Sequence, residues 1–581
     1  PLACNDAAVQ VVNPRAIPLL WRVGLAITVA LGRWLFSHDR IVYHLHPDEA
    51  GNLAMARWIS GGTRWNLFDH STWRPGLATI TAPVYWITDD PTNVFRGVLI
   101  VNALLAGVAA VVLASLALRL TRLSALGCAI AAGAVALAPP SLSATANAWA
   151  EALVTLTFLA TLWFLLAFYD RPRLATGCAA LAVAAAGFAS HGRLLPLVPL
   201  ATALAVGAML WRREWWRAAV LAVFAAAVTA LSAAWADHVF SHVWDSPADS
   251  NTAGDTLERL KKPLEVLEAG IGQTWYQLVA TLGLFGIGTV VTVRAALRRS
   301  AADGAVDEAP TPVDARLLLA LTLPLIGVSW VFMSNRTRSD HLVYGRYTDA
   351  IVWPVLVIAI GWLVGLRRAE ARRDTSWIVA GVAVATLATA GAVYAFHEAA
   401  FAESVGVRPM IAGFMPWLGG RNAIPVFVLT GLGLIGLAVL LALARWPGPR
   451  SLALLCVVAV ALGVAGFRTH HALALRLNIW ATASAVTEIE DIVPAGEPLG
   501  FRFVRDADGP AASWDDQRRR GQLYQMYLPD REFLRDRGVD DEVGPYVFAP
   551  VGDPELEDEG AEVLWTDPRV RIALWREPTG A

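Results

Sequence analysis

The run VFRGVLIVNALLAGVAAVVLASLAL occupies residues 94 to 118 and is followed at once by Arg119-Leu-Thr-Arg122. A single charge, Arg96, interrupts it. At about 1.5 Å of rise per residue, a helix of this length crosses a hydrocarbon core roughly 30 Å thick. Amides in lipid must find partners inside their own segment, so the run is helical. The arginines mark the end that stays in water.

Working outward, the same pattern recurs at 17–36, 123–140, 147–168, 174–190, 193–210, 218–236, 273–293, 316–333, 348–366, 377–397, 423–444 and 451–468. With 94–118 that makes about 13 spans. Composition agrees. Hydrophobic residues make up 56%, mean hydropathy is +0.48 and 17% of residues are charged, against roughly 25% in soluble domains. Basic clusters sit at Arg15 and Arg22, Arg119 and Arg122, Arg171 and Arg173, Arg212 to Arg217, Arg294 to Arg299, Arg367 to Arg373, and Arg445 to Arg450. All fall on one face when the spans alternate, and an excess of Lys and Arg marks the cytoplasmic side.

The expected fold is therefore an all-α polytopic membrane protein over residues 1–468. Residues 38–93, 237–272 and everything after about Arg468 then lie outside the cell. The tail, 469–581, mixes short apolar runs (Pro498–Val504, Tyr546–Val551, Val563–Trp565, Val570–Trp575) with charged, helix-like stretches. It reads as a small extracytoplasmic α/β domain of about 100 residues. Charge divides the same way: Thr482 to Ala581 holds 22 acids and 11 bases, net −11, which leaves +9 for the rest of a chain of net −2. An acidic, solvated domain rides on a basic membrane body. No basic face stands clear of the membrane flanks, which argues against nucleic acid as a partner. Residues 300–313, with two prolines, read as a flexible cytoplasmic loop.

Cys4, Cys128, Cys178 and Cys456 show neither disulfide nor metal spacing. The first apolar run is long enough to remain in the membrane, so a span is expected rather than a cleaved signal peptide. Lysine occurs only at Lys261 and Lys262, while Arg and Ala abound. That composition suggests a high-GC bacterium and hence a bacterial plasma membrane.

The first outer loop carries the chemistry. His44-Leu-His-Pro-Asp-Glu-Ala-Gly-Asn-Leu-Ala-Met-Ala-Arg-Trp, residues 44 to 58, opens a helix at Pro47, and Gly61-Gly62 closes it. Leu53, Ala56 and Ile59 share one side, so the helix can lie along the membrane surface. Asp48 and Glu49 have two readings. They favour the helix dipole, or one of them takes a proton from an acceptor hydroxyl, which requires a carboxylate within hydrogen-bond reach.

The pattern resembles the GT-C superfamily of polyprenyl- or dolichyl-phosphate-dependent glycosyltransferases, whose first outer loop carries an acidic motif written in some branches as His-Pro-Asp-Glu, here His46 to Glu49. Phe68-Asp-His-Ser-Thr-Trp-Arg-Pro-Gly-Leu, residues 68 to 77, and Pro83-Val-Tyr-Trp are similar to the aminoarabinose-transferase and protein-mannosyltransferase branches. The likeness covers the first 200 residues best. It implies Asp48 as the base, Glu49 assisting it or capping the helix, and Asp69 as the loop's second acidic position, with His46 and Arg74 in the substrate cavity. It also implies that a divalent metal ion can occupy the outer cavity. Asp48, Asp69 and His70 are suitable ligand types, although no fixed spacing picks them out.

Other polar residues stand where apolar ones would be cheaper. Glu151 opens the fourth span; it faces a cavity or snorkels to the interface. His191 and Arg193, in Ser190-His-Gly-Arg, hold a lipid phosphate or form a polar turn. Arg336-Thr-Arg-Ser-Asp-His-Leu-Val-Tyr-Gly-Arg-Tyr, residues 336 to 347, is basic on the outer side and so runs against the usual bias. A phosphate leaving group explains it, because arginine pairs with phosphate bidentately and keeps its charge; headgroup anchoring is the alternative. Arg346 is the preferred phosphate contact, with Tyr344 and His341 beside it. Gln273, Trp275 and Tyr276 read as an aromatic belt.

Nucleotide sugars are cytoplasmic and these candidates lie outside, so the consistent donor is a polyprenyl-phosphate-linked sugar. The expected enzyme transfers that sugar, with inversion, to a hydroxyl on a glycan, lipid or protein acceptor. Two other readings stay open. A transporter or lipid-sugar flippase would show broken helices and mid-membrane charges in paired halves, and no matching halves are visible. The other is a non-catalytic relative whose tail binds cell-wall polymer.

Overall fold

The computed structural model describes residues 17–42, 47–65, 74–142, 146–244, 253–298, 310–335, 338–366, 371–404, 408–418, 421–445, isolated positions between 460 and 478, 485–502, 514–536, 544–568 and 571–578. His46, Asp69 and His70 lie outside the described residues, as do Cys4, Cys456, Arg336 and most of 300–313.

The membrane part runs in chain order through α1 (Leu19–Ser37), the loop helix α2 (Pro47–Ile59), α3 (Pro91–Leu120), α4 (Ala125–Ala136), α5 (Glu151–Asp170), α6 (Leu174–Ser190), α7 (Leu197–Trp211) and α8 (Trp215–Val243). It continues with α9 (Pro263–Ala280), α10 (Leu284–Leu297), α11 (Pro312–Met333), the short α12 (Gly345–Asp349), α13 (Trp353–Gly365), α14 (Ala371–Glu403) and α15 (Val426–Arg445).

Among the described residues, eight helices are long and apolar enough to cross a membrane, or ten if each of two bent pairs is one span. The expected 13 also counts two shorter apolar helices and the run 451–468. Helices α4 and α6, read from sequence as spans, have 12 and 17 residues, or about 18 and 26 Å. Pro139-Pro140 stops α4 early, because proline has no N–H to continue a helix. Most of 451–468 lies outside the described residues.

Breaks inside two spans were not foreseen. Helices α9 and α10 meet at 107°, and the segment Ser339–Asp349 meets α13 at 74°. At the first break Leu282 and Gly283 both take positive φ, 52° and 79°, a backbone that cannot continue a right-handed helix. One of the basic clusters has structural work as well. Arg119 at the end of α3 bonds Asp170 of α5 at 2.8 Å and Asp314 of α11 at 2.7 Å, drawing three helix ends together.

The tail folds as a five-stranded sheet. Its strands are β1 (Leu499–Arg502), β2 (Phe533–Asp536), β3 (Tyr546–Pro550), β4 (Glu562–Thr566) and β5 (Ile572–Arg576), in the order β2-β1-β3-β5-β4. Strand β1 pairs in parallel with β2 and β3, and β5 pairs antiparallel with β3 and β4. Parallel neighbours need a crossover, and α16 (Trp514–Tyr527) supplies it between β1 and β2. One apolar core joins this sheet to the outer loop: Leu53, Met55 and Ala56 of α2 share it with Leu499, Leu523, Met526 and Leu528. The domain therefore rests on the helix that carries Asp48.

Candidate active site

The site is built on a turn with little regular structure of its own. Residues 146–149 lead into α5, and their polar groups are met by side chains of α1's exit, α2 and α3. Arg40 donates to the Ala146 carbonyl and to Asn147 Oδ1, the latter at 3.0 Å. Asn102, inside α3, donates to the carbonyls of Asn147 and Trp149 at 2.9 and 3.1 Å. Glu49 accepts from the Ala148 N–H at 2.9 Å, and Asn52 donates to the Ala148 carbonyl at 2.9 Å. Buried backbone groups need such partners. Here they fix Trp149 and Glu151.

The opposite wall is α12. Gly345 packs so tightly on the Tyr276 ring that a Cβ would overlap it. Tyr276 donates to Asp349 at 2.9 Å and accepts from the Gly413 N–H at 2.8 Å, while Gln277 donates to Asp349 and Thr348 at 2.6 and 2.7 Å. These contacts pin the helix that carries Arg346. They also correct the aromatic-belt reading. Gln273, Trp275 and Tyr276 are buried, with Trp275 bonded to Thr430 at 3.0 Å and Ser329 to Gln273 at 2.8 Å. Hydropathy shows that this stretch is apolar but not whether it faces lipid or neighbouring helices.

Between the walls, Arg346 bridges two carboxylates. Its Nη1 donates to Asp48 and its Nε donates to Glu151 at 2.6 Å. The guanidinium also lies 4.0 Å above the Trp149 ring. The side chains of Arg346 and Glu151 are 3% and 2% exposed, whereas Asp48 keeps 19%, so Asp48 is the member open to an incoming molecule.

Arg193 approaches from the other side. Its Nη1 is 3.3 Å from Glu151, outside hydrogen-bond geometry, and its guanidinium stacks 4.6 Å over Tyr347. All three of its nitrogens are buried with no hydrogen-bond acceptor among the described residues. His191 Nδ1 accepts the Arg193 N–H at 3.2 Å, and its ring stands 5.4 Å from Tyr347. Burial first, then the nearby Arg193 and Arg346 charges, hold its pKa well below 6.5.

The remaining candidates lie further out. Tyr344 stacks edge-on to Tyr347 at 4.8 Å, and His341 lies behind Tyr344 at 5.9 Å with its Nδ1 2.8 Å from Asn335. Arg74 sits 3.9 Å over Phe188, where burial lowers its guanidinium pKa. Glu49, read from sequence as assisting Asp48 or capping the helix, is fully buried and accepts from the turn backbone. Sequence reasoning did not single out Trp149, Tyr347, Arg40, Asn52 or Asn102. A lone Asn within the opening apolar run was the available signal for the last.

A small cavity of about 20 Å³ lies behind the ion pairs, lined by Arg33, Trp149, Glu151, Arg346, Asp349 and Trp353. Among the described residues no three His, Cys, Asp or Glu side chains are placed to share a metal ion. Asp69 and His70, the other ligand types named from sequence, lie outside the described residues.

The architecture, a many-span helical body with the Asp48 helix beneath a C-terminal sheet domain, is found among solved structures. The apo crystal structure of ArnT from Cupriavidus metallidurans matches with a TM-score of 0.55 at 16% identity, covering 95% of this chain and 97% of ArnT. ArnT from the same organism bound to undecaprenyl phosphate matches with a TM-score of 0.54 at 15% identity, covering 97% and 99%. At that identity the likeness establishes the fold. No protein-family model and no curated protein matches the sequence.

Proposed function

We propose that the chain is a membrane glycosyltransferase that moves a sugar from a polyprenyl-phosphate-linked donor to an acceptor hydroxyl on the extracytoplasmic face. The observation that carries this reading is the convergence of Asp48, Glu151, Arg193 and Arg346, from four separate segments, on one buried site. Asp48, the most exposed member, takes the acceptor's proton. The acceptor oxygen bonds the anomeric carbon as the bond from that carbon to the phosphate oxygen breaks. The electron pair leaves on the phosphate, where the uncommitted donors of Arg193 meet it with help from Arg346. Attack from the face opposite the phosphate inverts the centre. Tyr344 and Tyr347 line the approach.

An apolar groove of about 730 Å³ between α1, α4 and Val460, Gly463, Val464 and Phe467 supports a lipid-tailed substrate. Chain neighbours line the two spaces, Gly32 and Leu142 the groove and Arg33 and Ser141 the inner cavity. Binding of undecaprenyl phosphate by a protein of the same fold supports the same donor class.

The test is release of undecaprenyl phosphate from a panel of undecaprenyl-phosphate-linked pentoses and hexoses, using protein in liposomes and a cell-envelope extract as acceptor. The wild type is expected to turn over at least one donor. Asp48→Asn should lower kcat by about 10²- to 10⁴-fold, the usual weight of a general base, while still binding undecaprenyl phosphate. An unchanged Asp48→Asn rate rejects the base assignment. The two broken spans are a feature that transporters share; transbilayer movement of donor without bond cleavage would favour a flippase.

A further inference from the structure

We propose that Arg57 is a positioning residue for Asp48, acting from the far end of α2 by locking that helix to the C-terminal domain. The inference rests on the reading of Asp48 given above. Helix α2 has 13 residues, and a helix that short is marginal without tertiary support. Its two ends are tied to different parts of the chain. At the first turn Asp48 pairs with Arg346. At the last turn Arg57 donates to the Pro529 carbonyl at 2.8 Å, to Asp530 at 3.1 Å and to Thr63 Oγ1 at 3.2 Å. Thr63 donates to the same Pro529 carbonyl at 3.1 Å. Between the ends, Tyr85 bonds the Leu53 carbonyl at 3.0 Å, and the buried side chains of α2 share a core with the sheet domain.

Burial ranks the contacts at the far end. Asp530 is 87% exposed and Arg57 only 7%, so the ion pair is screened and worth little. The carbonyl bond, made by a buried guanidinium stacked 5.4 Å from Trp65, is the anchor. A rod held at both ends transmits any slide or rotation at Arg57 to Asp48, and a base displaced by about 1 Å loses much of its effect. The C-terminal domain then belongs to the catalytic unit.

Hydrogen exchange of the full chain in nanodiscs, wild type against Arg57→Ala, Arg57→Lys and Asp530→Ala, tests this. In Arg57→Ala, peptides from 47–59 are expected to exchange at least tenfold faster while those from 151–170 and 546–576 stay at wild-type rates. Arg57→Lys recovers part of the protection and Asp530→Ala changes it less than threefold. With the undecaprenyl-phosphate sugar panel, Arg57→Ala should lower kcat at least tenfold while affinity for undecaprenyl phosphate stays within twofold. Unchanged exchange over 47–59 overturns the proposal. So does a uniform rise across the sheet domain, or a matching loss of undecaprenyl phosphate affinity. If the wild type turns over no panel member, the transferase reading falls and the exchange result still decides the role of Arg57.

Discussion

Arg193→Met should separate stability from binding. In the wild type, Nε, Nη1 and Nη2 of this side chain are buried without an acceptor among the described residues. A buried, unmet donor costs about 1–3 kcal/mol, so the three together oppose folding by several kcal/mol. Against this stand the 3.3 Å approach to Glu151 and the stack on Tyr347. Breaking a buried ion pair costs about 3–5 kcal/mol when it strands a charge. Glu151 is not stranded, because Arg346 remains at 2.6 Å, so the lower end applies. A desolvated cation–π contact adds about 2 kcal/mol. The opposing effects nearly cancel, and methionine fills similar space without polar atoms. Stability, measured by SDS denaturation in mixed micelles, should stay within about 2 kcal/mol of wild type. Affinity for undecaprenyl phosphate should fall about 10- to 150-fold, the loss of one charge-assisted hydrogen bond worth about 1.5–3 kcal/mol. A variant that loses more than about 4 kcal/mol while binding the lipid phosphate normally would make Arg193 a structural counter-ion of Glu151 and refute the reasoning.

Two further outcomes are expected. Gly345→Ala drives a methyl into the Tyr276 ring, which cannot withdraw because Asp349 and Gly413 hold it; a loss of about 1–3 kcal/mol follows, with undecaprenyl phosphate binding impaired because Arg346 is the next residue, both read on the same purified variant. The pKa of His191 is held well below 6.5 in the folded chain, and an unfolded histidine titrates near 6.5, so the unfolded state takes up the proton first as pH falls. Stability should decline below about pH 6.5 with a slope approaching 1.4 kcal/mol per unit; His191→Gln should flatten the decline between pH 6.5 and 5 in thermal melts, and an unchanged slope would reject this account.

Much of the fold was legible because the membrane leaves few choices. Apolar runs of about 20 residues capped by arginine have one stable answer, and the runs from Ile17 to Ala444 fall on helices or bent helix pairs. Their lengths were harder to read. The prolines after Ala138 and the positive φ at Leu282 and Gly283 shorten or bend segments whose hydropathy is continuous. Four apolar runs in the tail correspond to β1, β3, β4 and β5. Strand β2 (Phe533-Leu-Arg-Asp) is too polar to stand out.

In the site, Asp48, Glu151, Arg193 and Arg346 were legible individually, since each is an ionisable group at an apolar boundary. Their mutual contacts were not. Only the family resemblance set Asp48 ahead of Glu49, because which of two adjacent carboxylates turns toward Arg346 depends on where the turn at 146–149 lies. That turn is fixed by residues far away in the chain.

The dependence on distant residues has a consequence for how the protein is made. The backbone of 146–149 borrows its partners from Arg40, Glu49, Asn52 and Asn102, so it has no stable form until the first three helices are inserted and seated together. The pocket is therefore a late product of biogenesis. A nascent or half-assembled chain, however well its individual helices have formed, lacks the arrangement that brings Asp48, Glu151 and Arg346 together.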